Sequence, residues 1–285
     1  MSLPADLALR VAGPDDLPAI AMLRASVGWA AHDWALRAAI QPPHARCWIV
    51  IDAEGTMVGV GSGIAYGRLG FVGNMIVDQE HRRRGVGSVI LNAVTAFLEG
   101  AGCQRLELYA TDDGRPLYAH HGFELTDPSV TAGVTRDTAI TEDSTVTLEE
   151  ATDIDELAAF DTPRFGGDRR PLLQMMASEA HRPLLVARRD GAVTGYTWLR
   201  ADGPRVGPLV ADTPAVTATL LAEAFRRVPE ADELSLNLPS ANGAGARWLR
   251  ELGLETEEWK GRMARGPEIP RRDDTIYANL VGALG

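Results

Sequence analysis

The chain has 285 residues, 45% of them hydrophobic and 24% charged, with a formal net charge of −11. That length corresponds to about two domains of ordinary globular composition. The acidic balance excludes a general nucleic-acid binder, which needs a basic face, and leans toward a cationic or amine partner. Cys47 and Cys103 sit beside apolar runs without metal-ligand spacing, so they are expected to be buried, reduced thiols, and no metal is expected. A catalytic Cys103 paired with His120 or His121 is conceivable but has no support in the sequence. The opening MSLPADLALR lacks an apolar signal core, and no stretch is long enough to span a bilayer. A soluble, cytoplasmic protein with no membrane partner is expected.

Along the chain, LALRVA (residues 7–12) alternates as a strand does, and GPDD offers caps for a helix through Val27. DWALRAAI (33–40) is a second helical stretch, after GWAAH. CWIVID (47–52) and MVGVGSGIAY, joined by AEGT, form a hairpin, and LGFVGNMIV is the next strand. DQEHRRRGVGS (78–88) follows, then a helix from about Gly87 to Leu98, ended by Gly100 and Gly102. RLELYA (105–110) is a strand. DDGRPLYAHHGF reads as a loop and a short helix, with Pro116 in its first turn and Gly122 as its stop. Residues 126–144, rich in Thr, Ser and Asp, are expected to give a last strand or two and a linker.

After Thr145 the order repeats. VTLEEA is a strand, IDELAAF and PLLQMMASEA are helical, and PLLVARR turns at Asp190-Gly191 into VTGYTWLR. RVGPLVA is the central strand, followed by the helix TPAVTATLLAEAF, the strand ELSLNL and the helix GARWLRELGLE. The closing RGPEIPRRDDTIYANLVGALG predicts a loop and a short amphipathic helix docked on the second half. Internal repetition of one α/β unit explains this order. After Val210, however, the second copy has ADTPAVTATLL, with neither an arginine cluster nor Gly-x-Gly. A packing device would be needed in both copies, so the motif of the first copy is functional.

A strand that feeds a glycine-rich turn and then a helix start gathers unpaired backbone N–H groups, with the positive end of the helix dipole behind them. Gly85 and Gly87 let that backbone approach a ligand closely, which makes an anion cradle suited to a phosphate or pyrophosphate. A Walker loop is excluded because no lysine follows Gly87. A dinucleotide fingerprint is excluded because Ile90 stands where a third glycine is needed, and because the preceding strands form an antiparallel run.

The segment Arg82-Arg83-Arg84-Gly85-Val86-Gly87 resembles the Arg/Gln-x-x-Gly-x-Gly/Ala signature of the GNAT N-acetyltransferase superfamily. NMIV before it resembles the family's fourth strand, and LYAHHGF its Leu-Tyr-x-x-x-Gly-Phe after the fifth. The resemblance covers about residues 5–140 by motif and order, and 145–265 by order alone. The implied fold is α/β (an α+β mixed sheet). It comprises two tandem GNAT-like domains, each a mixed, mostly antiparallel sheet flanked by helices. Residues 1–140 would form a catalytic domain with an acetyl-CoA site, and 145–285 a degenerate copy that covers the acceptor end of the first cleft or mediates self-association as a homodimer.

Carried over by residue, the resemblance implies that the backbone of Met75, Ile76 and Val77 pairs with the pantetheine arm of acetyl-CoA. Amides from about Arg83 to Ser88, with Arg82, Arg83, Arg84, Gly85, Val86, Gly87 and Ser88 lining the turn, hold the pyrophosphate. A backbone N–H near Ile76 stabilises the tetrahedral oxygen, and Tyr118 is the acid that protonates the departing thiolate. The chain has Thr111 where the family usually has an asparagine, so that contact to the cofactor is a departure. Asp78, Glu80, His81, Asp112 and Asp113 are all near enough in sequence to act as base, none is singled out, and solvent alone is an alternative. Trp29, His32, Asp33 and Trp34 fall where the family places acceptor-binding helices, with core packing the equal alternative. In the second half Leu249 replaces Tyr118. The expected activity is acetyl transfer from acetyl-CoA to a primary amine of a small molecule or peptide. The rivals are another acyl-CoA or an O-acceptor, and a non-catalytic module that binds acyl-CoA or an acidic partner.

Overall fold

A computed structural model of the chain describes residues 3–30, 32–179, 182–200, 206–280 and 282–285. Backbone packing divides the chain into two compact units. One comprises Met1–Glu124, Met263–Ile269 and Gly282–Gly285, the other Leu125–Arg262 and Pro270–Val281. No described helix is long and apolar enough to cross a membrane.

The first unit runs β1 (Leu7–Val11), α1 (Leu17–Ser26), α2 (Asp33–Ala39), β2 (Ala45–Asp52), β3 (Met57–Tyr66), β4 (Leu69–Val77), α3 (Val86–Gly100), β5 (Arg105–Tyr109), α4 (Arg115–His120) and β6 (Glu124–Leu125). The turn before α1 forms where GPDD predicts it: the Asp16 carboxylate accepts from the Gly13 N–H at 2.8 Å, and Pro18 sits in the helix's first turn. β1 to β4 pair antiparallel in chain order. β4 and β5 pair in parallel only from Leu69–Phe71 against Arg105–Glu107. Beyond Phe71 the edge of β4 that would face β5 carries no ladder among the described residues.

α3 lies on β3 by way of a glycine stripe. A Cβ at Gly59 would stand 2.9 Å from Ile90 Cδ1, at Gly61 2.4 Å from Ile90 Cγ2, and at Gly63 3.1 Å from Leu98 and Val94. Alternation puts these three on one face of the strand. The matching helix stripe, Val86, Ile90, Leu91, Val94 and Leu98, is buried at 3.6-residue period. The other face of the sheet packs on α1 and α2 through Ile20, Leu23, Leu36, Ile49, Val60 and Ile76.

The second unit runs β7 (Ser129–Thr135), β8 (Thr147–Glu150), α5 (Ile154–Phe165), α6 (Arg170–Ser178), β9 (Leu184–Arg189), β10 (Ala192–Leu199), β11 (Val206–Ala211), α7 (Pro214–Arg227), β12 (Glu233–Pro239), α8 (Gly243–Glu251) and β13 (Glu257–Trp259). Two strands follow: β14 (Arg262–Arg265), which neighbours β5 in the first sheet, and β15 (Ile276–Ala278). The second sheet is ordered β13-β7-β12-β15-β11-β10-β9-β8. Arg205, in the expected central strand, and Ala180, in the expected helix PLLQMMASEA, lie outside the described residues.

Two expectations change. The strand expected within 126–144 is β7, but it pairs with β12 of the second unit, from Ser129↔Pro239 to Thr135↔Glu233. The chain therefore divides near residue 125 rather than at 140, and residues 263–269 return to the first unit. The expected C-terminal amphipathic helix is instead β15, between β12 and β11. Ile276, Tyr277 and Ala278 are all buried, so the segment has no wet face to offer a surface helix.

Residues 282–285 close on β4. Tyr66 donates its hydroxyl to the Leu284 carbonyl at 2.6 Å, and Leu284 is fully buried. A Cβ on Gly73 would stand 2.2 Å from the Ala283 carbonyl oxygen, a backbone atom that cannot rotate away. Gly73→Ala is therefore expected to lower the denaturant midpoint, by about 1–3 kcal/mol of stability from overpacking. An unchanged midpoint in chemical denaturation would show that the tail is not seated there.

Candidate active site

A cavity of about 900 Å³ opens in the first unit. Its walls are Met75, Ile76 and Val77 from β4, Asp78, Gln79, Arg82, Arg83, Gly85, Gly87 and Ser88 from the turn beyond, and Thr111, Asp113, Gly114, Leu117 and Tyr118 around the start of α4. Ser26, Val27 and Trp29 complete it from the end of α1. Of the residues expected to hold acetyl-CoA or to act as the acid, all reach this cavity except Arg84 and Val86. Arg84 instead pairs with Asp6 at 2.8 Å, and Val86, the first residue of α3, is buried in the core.

The β4 wall is shaped by a bulge. Val60 pairs with Ile76 and Ser62 with Gly73, so three steps on β4 (73 to 76) oppose two on β3 (60 to 62). Asn74 takes up the extra residue in a left-handed conformation, φ +54°. Such a bulge breaks the ladder and re-aims the backbone that follows, here Met75 and Ile76.

The turn beyond β4 is held open by its own chemistry. The Asp78 carboxylate accepts from the Glu80 N–H at 3.0 Å and lies 3.1 Å from His81 Nδ1. The His81 contact, ahead of the Glu80 amide, holds Asp78 below its usual carboxylate range. Arg82 donates from Nε to the Val77 carbonyl at 3.2 Å. Gly85, at φ +84°, stands just before α3, where only glycine adopts that angle freely. Among the described residues nothing accepts from the amides of Arg83 through Ser88, and the first partnered amide is Val89, which donates to the Gly85 carbonyl at 3.1 Å. Six adjacent free donors, the positive end of a 15-residue helix and the Arg83 guanidinium together form an anion cradle.

Tyr118 stands on α4, 6% exposed, edge-on to Phe123. Among the described residues its hydroxyl has no hydrogen-bond partner, so its proton is free to point into the cavity. Burial pushes its pKa well above that of a free tyrosine, which keeps the hydroxyl protonated across the physiological range. Thr111 Oγ1 accepts from the Gly114 N–H at 3.3 Å, which fixes the turn into α4. Of the candidate bases, Asp78 and Asp113 line the cavity. Asp78 is already engaged, and Asp113 is largely exposed, 3.7 Å from Arg82. Glu80, His81 and Asp112 are not among its walls. Ser26 and Val27 carried no signal in sequence. Trp29 of the GWAAHDW segment lines the cavity, whereas Trp34 is core at 3% exposure.

The second unit has no such cradle at the equivalent place. α7 begins with Pro214, which lacks an N–H, and the Thr213 side chain accepts from the Val216 amide at 3.3 Å. Leu249, where the first unit has Tyr118, is fully buried.

The chain matches known families and proteins in both halves. Residues 15–123 match the "Acetyltransferase (GNAT) family", and residues 157–278 an "Acetyltransferase (GNAT) domain". A Bacillus subtilis (strain 168) protein named "Uncharacterized N-acetyltransferase YitH" is 29% identical over 234 residues, 77% of this chain and 78% of its own. The "Holothin acyltransferase" of Pseudoalteromonas sp. (strain SANK 73390) is 32% identical over 137 residues, 47% of each chain. A crystal structure from Pyrococcus horikoshii superposes with a TM-score of 0.82 at 21% identity, covering 100% of this chain and 98% of that one. A tandem GNAT protein from the clavulanic acid biosynthesis pathway superposes at 0.63 and 18% identity over 92% of this chain and 99% of its own. At these identities the structural likeness speaks for the fold.

Both thiols are buried, away from the cavity walls. Burial pushes Cys47 up to about 12 and Cys103 up to about 11. At pH 8 roughly one Cys103 in a thousand, and fewer Cys47, are thiolate. A thiol reagent such as dithiobis-nitrobenzoate is expected to titrate neither in the folded protein and both after unfolding. Fast native labelling of Cys103 would reopen it as a nucleophile.

Proposed function

The chain belongs to the GNAT acetyltransferase family and carries two such domains in tandem, and from that premise we propose that its first unit transfers acetyl from acetyl-CoA to a primary amine. The observation that carries this reading is the run of unpaired amides from Arg83 to Ser88 at the head of α3. The cradle suits a diphosphate: donors gathered on one turn, no Cβ at Gly85 or Gly87, and, among the described residues, no carboxylate accepting from its amides.

Acetyl-CoA supplies an already activated thioester, so what is asked of the chain is alignment, a proton and support for charge. The free edge of β4 at Met75–Val77 offers backbone groups to an extended amide-bearing arm, in the manner of an added strand. Alignment of amine and carbonyl in one cavity can supply the largest share of the rate, on the order of 7–11 kcal/mol for ideal geometry. A backbone N–H near Ile76 would donate to the oxygen that gains charge. Tyr118, kept protonated by burial, would give its proton to the sulfur that leaves. No side chain stands out as the base, which fits an amine deprotonated through solvent. The second unit, with its helix start closed by Thr213 and Pro214, is read as binding no acetyl-CoA.

Acetyl-CoA is expected to raise the melting temperature of the wild type. Gly85→Glu, which sets a carboxylate in the cradle, should abolish that rise, whereas Gly85→Asn, which adds a side chain without the charge and tolerates the left-handed region better than most residues, controls for backbone strain. Tyr118→Phe should keep the rise and lose about 10²–10⁴-fold in thiol release. Undiminished release from Tyr118→Phe would remove it from the mechanism, and a wild type that gains nothing from acetyl-CoA would remove the reading itself.

A further inference from the structure

Arg24, in the last turn of α1, is 8% exposed. Its Nε and Nη2 donate to the Ala30 carbonyl at 3.1 and 2.8 Å, and its guanidinium carbon lies 5.5 Å from the centre of the Trp29 ring. Nη1 donates to Asn74 Oδ1, and Asn74 donates from Nδ2 to Ser62 Oγ at 2.9 Å. Every acceptor is neutral, and among the described residues no carboxylate stands within ion-pair distance of Arg24. Two other buried arginines are treated differently: Arg105 meets Glu107 at 2.6 Å and Arg169 meets Asp161 at 2.7 Å.

A buried charge left without a counter-charge costs free energy, and so does a left-handed conformation at a residue other than glycine. Here both costs meet on one hydrogen bond, between Arg24 and Asn74, and Asn74 immediately precedes the β4 residues that wall the cavity. Apolar packing would fill this space more cheaply if the fold were all that mattered. Arg24 also joins two cavity walls, since Ala30 follows Trp29 and Asn74 precedes Met75.

We propose that Arg24 is a positioning residue for acyl transfer: it locks the Asn74 bulge that aims the Met75–Ile76 backbone into the cavity, and it ties the Trp29 wall to that bulge. The inference rests on the acetyl-transfer reading above. A donor that supports developing charge works only when held within a fraction of an ångström, and loss of one such donor lowers kcat by about 10²–10³. A loosened donor loses part of that. The cradle at Arg83–Ser88 is untouched, so most of the acetyl-CoA affinity is kept, with only a small loss at the Met75–Val77 edge, while turnover falls much further.

The test compares Arg24→Met, which keeps the stem but not the donors, with Arg24→Lys, which keeps the charge and one grip. Asn74→Gly keeps the left-handed backbone and removes the side chain. Acetyl-CoA affinity is read by calorimetry and folding by thermal melting. Turnover is read by thiol release from acetyl-CoA with a panel of polyamines, amino acids and amino sugars, or with water where no amine reacts. Arg24→Met and Asn74→Gly are expected to hold Kd within about threefold of wild type while kcat falls about tenfold or more, with partial recovery in Arg24→Lys. A purely structural arginine would lower the melting temperature and leave kcat of the folded protein alone. An unchanged kcat, or a loss matched by weaker acetyl-CoA binding, overturns the proposal. Should Arg24→Met not fold, Asn74→Gly decides by the same readouts. A wild type that neither binds acetyl-CoA nor releases thiol overturns both this inference and the reading beneath it, whereas an active wild type with unaffected variants overturns this inference alone.

Discussion

The approach of α3 to β3 is the contact on which the geometry of the first unit's cavity depends. Three alternate glycines, Gly59, Gly61 and Gly63, strip the sheet face of Cβ atoms, and Ile90, Val94 and Leu98 fill the space. This close packing fixes the helix along its length, and with it the position of its first turn relative to the end of β4. A helix held farther out would still fold, but its free amides would no longer share a cavity with the β4 edge. Interior packing thus places polar groups that take no part in it.

The two units show the same architecture with opposite treatments of one helix start. In the second, Thr213 accepts from the Val216 amide and Pro214 brings no N–H, an ordinary helix cap that removes two of the donors left open in the first unit. In the first, Gly85 precedes the helix with no side chain to offer, and Arg83 is held at φ +59° beside it. Unfilled hydrogen-bonding capacity and backbone strain fall at the same turn. Such costs persist where the surrounding structure holds them in place. Arg24 and Asn74 add a second pair of costs a short way along the same cavity wall, so the stabilising burden lies on the α3 face and the unpaid polar groups gather at one end of the sheet.

Much of this was legible in the residues themselves. The arginine–glycine turn has a local meaning that survives without tertiary context, and so does the short helix bearing Tyr118, because caps, glycines and helix starts act within a few residues. Arg84 illustrates where that stops: its neighbours reach the cavity, but its own side chain is claimed by Asp6, 78 positions away. Nothing in its own stretch sets Arg24 apart, and only its meeting with Asn74, 50 positions on, does so. Ser26 and Val27 are similar, since nothing local marks the end of α1 as a cavity wall. Strand partnership was the other loss. β7 has the composition of a strand in either sheet, and the ladder to β12 is chosen by burial of Ala132 and Val134 in the second core. Ile276-Tyr277-Ala278 was too short for either period to declare itself.

The return of residues 263–269 and 282–285 to the first unit has a consequence for biosynthesis. On the ribosome, residues 1–124 emerge long before their last strand and the segment that seats on Gly73 and Tyr66. Until then β5 presents a bare edge, and the pocket for Leu284 is open to solvent, so the earlier-made half must wait in an unfinished state for the later one. A premature stop codon late in the gene would therefore leave the first unit unfinished, although every residue that walls its cavity had already been translated.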